Sequence, residues 1–315
     1  MRVVALAGGV GAARFLRGLV AVLAPDALTI VVNTGDDREF YGVPVCPDLD
    51  IVTYTLAGRV DPERGYGLAG DSFAVLEALA ALGHETWFRL GDRDLATALH
   101  RGIRLREGLG LAAVTDEVRR VYGVGVRILP MSEDPAPTFV LLSGGRRVHF
   151  EEYLARDGAP DDVHDVDLSA AEAAKPAPGV LEALTDAEVV VLCPSNPVVS
   201  IGPILAVRGV REALRTSGAS RVAISPLIGG APVKGPADRL LRGIGVEVSA
   251  AGVAGHYRGL LDGFVIDRRD AGLRKRIEGM GLACEVTETL MRTPEIAADL
   301  ARRTLALAAR ARPPR

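Results

Sequence analysis

Short runs of consecutive apolar residues, separated by longer amphipathic stretches, constrain this chain more than any other feature. At residues 3–6, 29–32 and 188–193 nearly every position is apolar or β-branched, so a strand there has no polar face. Strands of this kind are buried on both faces, as in parallel sheets that are covered by helices. The stretches between them have the spacing of amphipathic helices. The sequence therefore predicts an α/β fold with a Rossmann-like, doubly wound, mainly parallel sheet.

The middle of the chain departs from this alternation. Residues 138–142, a Ser-Gly-Gly turn and residues 146–153 predict an antiparallel hairpin, whereas residues 156–178 predict a surface excursion. We therefore expect one Rossmann-like domain over residues 1–315, with an inserted α+β region or lid at about 107–180. The predicted strands are residues 3–6, 29–32, 86–90, 188–193, 221–225 and 263–266, and the predicted helices are 12–23, 71–82, 94–104 and 204–214.

The charge and the pattern of cysteines and histidines exclude several classes of function. A net charge of −3 provides no positive field for a nucleic-acid partner. The three cysteines form no CxxC pair and the five histidines no HxxxH or HxH pair, which excludes zinc ribbons, redox dithiols and histidine-rich metal sites. No apolar run reaches the ~20 residues of a membrane helix. We expect a cytoplasmic protein with neither nucleic acid nor membrane as partner.

The first candidate ligand site is a glycine turn directly after the first predicted strand. Gly8, Gly9 and Gly11 precede Arg14 at the start of the first predicted helix. Glycines let a backbone approach a phosphate closely, and a helix N-terminus offers free N–H groups. A tight turn without a ligand is the alternative, although the position favours an anion site. The segment lacks the lysine of a Walker loop and the GxGxxG spacing of dinucleotide folds.

Acidic residues are concentrated after the second predicted strand. Asp36 and Asp37 lie in a glycine turn, and Asp48 and Asp50 follow closely. Such residues often form Asx turns or helix caps. At the end of a strand, however, they lie where open α/β sheets bind ligands, and Mg²⁺ bound to phosphates needs only one or two carboxylates. From the residues alone, a magnesium site and a set of turns and caps both remain open.

Two further segments carry polar residues suited to ligands. Arg89 stands beside Trp87 and Phe88 at the end of a predicted strand, where a guanidinium can contact a phosphate or a flat heterocycle. Ser195 and Asn196 follow the most apolar predicted strand, in a loop whose hydroxyl, amide and backbone donors suit a phosphate or a base. Both segments are expected at the same edge of the sheet as the glycine turn.

Taken together, these segments resemble the CofD family, called FbiA in actinobacteria, which comprises the 2-phospho-L-lactate transferases of coenzyme F420 biosynthesis. Because the matching segments run in order from residue 7 to about 257, the resemblance is far more specific than a single glycine loop. The segments are AGGVGAARFLRGL, NTGDD, CPDLD, DPERGYG, WFRLGDRDLATALHR, HFEEY, PSNPVVSIGPIL, SPLIGGAPVKGPAD and AGHY.

The resemblance implies a phosphoryl transfer between two small-molecule substrates. The family uses a guanylylated three-carbon acid phosphate as donor and the deazaflavin alcohol Fo as acceptor. The ribityl hydroxyl of Fo attacks the phosphorus that carries the acid, GMP leaves, and F420-0 or dehydro-F420-0 is formed. No motif reports whether the acid is phospholactate, phosphoenolpyruvate or a glycerate phosphate.

The resemblance also implies roles for individual residues. Asp50 and Arg89 match the pair that binds Fo. Asp36, Asp37 and Asp48 are the expected Mg²⁺ ligands and catalytic residues, and any of them can instead orient the attacking hydroxyl. Asp50→Ala is expected to lose transfer while remaining folded. The residues expected at the phosphates and the guanosine diphosphate are Gly8, Gly9, Gly11, Arg14, Ser195 and Asn196.

Two other functions compete with the transferase. A sister group, the gluconeogenesis-factor family, shares the glycine opening and binds UDP-sugars as a regulator, but its members look like DDGGSSG where this chain has DDREFYG at residues 36–42. A dehydrogenase would need a ribose-binding acid and a histidine base, for which the sequence offers no convincing candidates. A homodimer is possible, since the apolar residues 297–309 can form a helix that packs against a second subunit.

Overall fold

A computed structural model describes residues 1–311 of the chain, and its centre is a seven-stranded parallel sheet. The strands are β1 (Val3–Ala7), β2 (Leu28–Val32), β3 (Arg38–Phe40), β4 (Val43–Val45), β5 (Arg127–Pro130), β6 (Phe139–Leu142), β7 (Arg147–His149), β8 (Val163–Asp167), β9 (Val189–Leu192), β10 (Ser220–Ile224), β11 (Leu227–Ile228), β12 (Ala231–Pro232), β13 (Gly263–Asp267) and β14 (Ala283–Thr287). The helices are α1 (Gly9–Val22), α2 (Pro47–Leu56), α3 (Ala74–Ala81), α4 (Asp92–Arg106), α5 (Leu111–Val121), α6 (Ser169–Ala173), α7 (Val180–Asp186), α8 (Ile201–Ala206), α9 (Val210–Thr216), α10 (Ala237–Gly243), α11 (Ala250–His256), α12 (Arg274–Glu278) and α13 (Pro294–Ala311).

The order of the strands in the central sheet locates the expected ligand crevice. The order is β14-β13-β10-β9-β1-β2-β5, and every neighbouring pair is parallel. Ala5 of β1 lies opposite Ile30 on one side and Val191 on the other. Strands β2 and β5 follow β1 on one side of the sheet, whereas β10, β13 and β14 follow β9 on the other side. The strand order therefore reverses between β1 and β9. Open α/β sheets bind ligands beyond the carboxyl ends of the strands at such a point. The predicted Rossmann-like fold is confirmed.

The central strand β1 contributes to the core on both faces of the sheet. Val4 and Leu6 join the apolar cluster on one face, whereas Val3, Ala5 and Ala7 join the cluster on the other. Every residue of β1 is at most 2% exposed. Burial on both faces is the physical reason for the run of consecutive apolar residues in the sequence.

Helix α13 packs along α1 within the chain. The two helices approach so closely that a side chain at Gly18 of α1 would clash with the carbonyl of Ala297. The apolar face that suggested a homodimer is therefore buried inside the chain, and the dimer remains a prediction without that support. Within residues 1–311, no helix is both long and apolar enough to cross a membrane.

Two of the predicted elements are wrong. Residues 86–90 are a loop rather than a strand, and their aromatic side chains pack on β3, with Phe88 stacked on Phe40 at a centroid distance of 3.8 Å. The sheet has no place for them beside β2, because β5 occupies that edge. The helix predicted over 204–214 is divided into α8 and α9 at Gly209, whose φ of 80° is left-handed.

The range 107–180, which was predicted to be an insert, contains elements of two sheets. Strand β5 pairs with β2 of the main sheet and α5 packs on it, and we call residues 131–179, which follow β5, the insert. The predicted hairpin is confirmed as β6 and β7. The predicted surface excursion contains β8, which pairs with β6 and completes an antiparallel sheet of three strands. As an edge strand of a small sheet it needs few apolar residues, which conceals it in the sequence.

Candidate functional site

The glycine turn after β1, formed by Gly8 and Gly9, lies at the point where the strand order reverses. The Gly8 amide donates to Ser195 Oγ at 3.3 Å, and the Gly9 amide donates to Asp48 Oδ1 at 2.7 Å. A Cβ on Gly8 would lie 2.6 Å from Asp48 Oδ2 and 2.8 Å from Ser200 Cβ, so only glycine fits there. Gly9 has a φ of +74° and open space around its Cα. The turn is therefore closely packed at Gly8 and open at Gly9.

The other two residues of the predicted phosphate site lie on α1 itself. A Cβ on Gly11 would be 2.5 Å from the carbonyl oxygen of Pro194, so Gly11 allows α1 to pack against the loop after β9. Arg14 is exposed one turn further along the helix. Because the Gly8 and Gly9 amides already have protein acceptors, Arg14 and the remaining first-turn amides are the groups left to meet an anion. The phosphate role of these residues stays a prediction.

Asn33 connects the three segments that form the site. Its Nδ2 donates to Asp48 Oδ2 at 2.9 Å and to the carbonyl of Val199 at 3.3 Å, while its Oδ1 accepts from the Gly35 amide at 2.8 Å. The end of β2, the first turn of α2 and the loop after β9 are therefore held together by one buried amide side chain. The sequence reasoning missed this residue, although it opens the NTGDD segment.

Three buried carboxyl groups, Asp36, Asp48 and Glu151, form what we call the acid cluster. Burial, followed by the charges of Asp48 and Glu151, raises the pKa of Asp36 well above its usual range. Burial raises the pKa of Asp48 to about 6, against hydrogen bonds from Asn33 and Gly9 that lower it. Burial and the charge of Asp48 raise the pKa of Glu151 to about 7. Glu151, from the HFEEY segment, was not among the predicted site residues.

The insert reaches the acid cluster through β6 and β7. The Thr138 amide donates to the carbonyl of Gly35 at 2.7 Å, which attaches the start of β6 to the turn that carries Asp36. The Glu151 amide donates to His149 Nδ1 at 3.2 Å, and burial lowers the pKa of His149 to about 4. The insert therefore contributes a carboxyl group and a neutral imidazole to the site.

Several buried polar atoms in this region have no hydrogen-bond partner. A buried polar atom without a partner costs about 1–3 kcal/mol, which a bound ligand or ion removes. Hard oxygen atoms are the donors that Mg²⁺ takes, usually with substrate phosphates and water completing its shell. Within residues 1–311, no group of three or more His, Cys, Asp or Glu side chains is arranged to hold a metal alone. The unpaired atoms here are Thr34 Oγ1, Asp36 Oδ1, Asp37 Oδ1, Thr138 Oγ1 and His149 Nε2.

Asp37, the neighbour of Asp36, has a different environment. Burial raises the pKa of Asp37 well above its usual range, whereas a hydrogen bond with Cys46 and the charge of Arg101 lower it. The pKa of Asp36 is raised by burial first and then by the charges of Asp48, Glu151 and Asp37. The two adjacent acids therefore share Asp48 as a neighbouring charge, but only Asp37 is also affected by Arg101 and Cys46. Their role as metal ligands stays a prediction.

Asp50 forms an ion pair with Arg101 of α4. Arg101 is only 3% exposed and also donates to the carbonyl of Pro44 at 3.1 Å. Arg89, the other residue expected at Fo, is exposed and lies over the Phe73 ring at 4.3 Å from its centroid. Among the described residues, Arg89 has no carboxylate within ion-pair distance. The structure thus gives Asp50 a buried counter-ion that the sequence reasoning missed.

Ser195 and Asn196 shape the loop after β9. Asn196 Oδ1 accepts from the amides of Val198 at 2.9 Å and Val199 at 3.3 Å, and Ser195 Oγ accepts from Gly8. The Asn196 bonds are internal to the loop, and the Ser195 bond holds the loop against the glycine turn. Contact of either side chain with a nucleotide stays a prediction.

Comparison with known proteins agrees with this fold. A family described as 2-phospho-L-lactate transferase CofD matches residues 3–288. The chain is 47% identical to a phosphoenolpyruvate transferase of Kitasatospora aureofaciens over 99% of both chains, and 49% identical to one of Streptomyces avermitilis over 100% of both. The solved structure of protein BH3568 from Bacillus halodurans, a member of the UPF0052 family, has a TM-score of 0.63 at 21% identity, covering 96% of this chain and 99% of that one.

Proposed function

The chain belongs to the 2-phospho-L-lactate transferase CofD family, and from that membership we propose a specific reaction for it. The protein is a transferase of a phosphoenolpyruvyl or phospholactyl group in coenzyme F420 biosynthesis. The donor is the guanosine diphosphate-activated acid, the acceptor is the ribityl hydroxyl of Fo, and GMP leaves. Relatives at 47–49% identity are named phosphoenolpyruvate transferases, which favours phosphoenolpyruvate as the acid and dehydro-F420-0 as the product.

One observation carries this proposal: buried carboxyl groups without full hydrogen bonding lie beside an open glycine turn, where the strand order reverses. Phosphoryl transfer depends on positioning and on neutralising charge rather than on covalent catalysis. The acid cluster and the glycine turn supply both requirements at one edge of the sheet. Asp36 Oδ1 is buried and has no protein partner, so it can accept a bond from a ligand or an ion.

The chemistry follows from these groups. The oxygen of the Fo hydroxyl forms a bond to the phosphorus that carries the acid, and the bond from that phosphorus to the GMP oxygen breaks. A carboxylate of the acid cluster accepts the hydroxyl proton, which contributes about 10²–10⁴-fold in such reactions. Asp36 and Asp48 would hold Mg²⁺, which neutralises the charge of the diphosphate when bound. Burial raises the pKa of Asp37, and the charge of Arg101 lowers it by a smaller amount.

The experiment mixes the purified protein with Fo, Mg²⁺ and each guanylylated acid, and detects products by mass spectrometry. We expect a dehydro-F420-0 product with GMP release, and a loss of about 10²-fold or more in Asp36→Asn and Glu151→Gln. Glu182→Gln is the matched control, because Glu182 is exposed on α7. No product from any donor, together with tight binding of a UDP-sugar, would contradict the transferase and indicate a regulator.

A further inference from the structure

Two cations from distant parts of the chain, Arg14 and Lys234, lie close to Gly65. Arg14 Nη2 lies 3.9 Å, and Lys234 Nζ 3.8 Å, from the point where a Cβ on Gly65 would stand. Within residues 1–311, neither cation has a carboxylate within 4.0 Å. Like charges brought this close without a counter-ion repel each other, and an anion between them relieves that repulsion.

The surroundings of this pair also suit an anion. Arg14 belongs to α1, and the free N–H groups in the first turn of that helix carry partial positive charge. Gly9, at the start of the same helix, has open space around it. Gly65 has a left-handed φ of +71° and no side chain to fill the gap between the cations. The exposed ring of Tyr66 lies 5.6 Å from Lys234 Nζ.

We propose that Arg14 and Lys234 form the subsite that binds the diphosphate of the nucleotide-activated donor. Arg14 was predicted to face phosphate, whereas Lys234 and the loop at Gly65 are new to the site. Arg14 can bind two phosphate oxygens through its planar fork, and Lys234 contributes a mobile point charge. The subsite rests on the proposed function for the identity of its ligand, but its preference for a diphosphate can be tested separately.

A substitution at Gly65 places a competing anion between the two cations. In Gly65→Asp the new carboxylate is within reach of both, whereas Gly65→Asn has the same size and the same tolerance of a left-handed backbone but no charge. We expect the Asp variant to bind GDP about tenfold to a hundredfold more weakly than the Asn variant in calorimetry. Equal GDP affinity in the two variants would overturn the proposal.

Removal of the lysine charge gives a second test. Lys234→Met is expected to weaken the binding of GDP and of inorganic pyrophosphate about tenfold and to leave guanosine binding unchanged. Lys275→Met, on α12, controls for the loss of one positive charge and should match the wild type. If Lys234→Met binds pyrophosphate as tightly as this control, the subsite is refuted. If pyrophosphate binding falls as expected but no donor is turned over, the subsite stands and only the proposed function fails.

Discussion

The ion pair between Asp50 and Arg101 makes Asp50→Ala a test of stability as well as of function. The sequence led us to expect a folded variant without activity. In the structure the substitution leaves a guanidinium that is 3% exposed with the Pro44 carbonyl as its remaining hydrogen-bond acceptor. Removing one partner of a buried pair costs about 3–5 kcal/mol. Because Asp50 is 15% exposed and Asp37 lies near Arg101, we expect a loss of about 3 kcal/mol.

A double-mutant cycle measures this loss. Asp50→Ala, Arg101→Met and the double variant are unfolded with urea and followed by circular dichroism. Each single variant leaves one buried charge without its partner, whereas the double variant leaves neither, so the double variant should be more stable than the sum of the single losses predicts. Asp50→Asn, which keeps a hydrogen-bond acceptor, should fold well enough for the transfer assay.

Two outcomes would refute the reasoning. The first is additivity of the single losses within about 0.5 kcal/mol, which would mean that the two side chains do not interact. The second is an Asp50→Ala variant as stable as the wild type. Glu247→Ala is the control, because the pair of Glu247 with Arg276 is about half exposed and should contribute less than about 1 kcal/mol.

Two further predictions concern the acid cluster and the glycine turn. Because burial raises the folded-state pKa of Asp48 to about 6 and of Glu151 to about 7, the metal-free chain should lose stability as the pH rises from about 4 to 7. Mg²⁺ should therefore raise the unfolding temperature more at about pH 8 than at about pH 5, and an equal rise at both would contradict the predicted site. Gly8→Ala should abolish transfer because its Cβ would displace Asp48, whereas Gly9→Ala should cost only about 1–2 kcal/mol of backbone strain, as measured by parallel activity and unfolding assays.

The sequence predicted the elements that are determined by local pattern. The strands around β1 and β9 could be found because burial on both faces requires consecutive apolar residues. Residues 86–90 have a similar pattern, but their aromatic side chains pack in a cluster with Phe40 instead of joining the sheet. Strand β8 was missed for the opposite reason, since its pairing with β6 depends on backbone groups that any residue provides.

The same distinction applies to the site. Gly8, Asp36 and Asp48 could be placed together because each follows or lies near the end of a strand in the first third of the chain. Glu151 could not, because its position depends on how the insert folds back over the sheet. Arg101 could not either, since a basic residue on an amphipathic helix is usually exposed, and only the packing of α4 against β4 buries it.

The position of β1 in the sheet has a consequence for the order in which the protein folds during synthesis. Val3 pairs with Leu28 on one side and with Val189 on the other, so one edge of the central strand has no partner until more than half of the chain has left the ribosome. Pairings so distant in sequence close slowly, and an apolar strand edge left open meanwhile promotes aggregation. During synthesis, the N-terminal half of this enzyme therefore exposes one unpaired edge of its central strand until β9 is available.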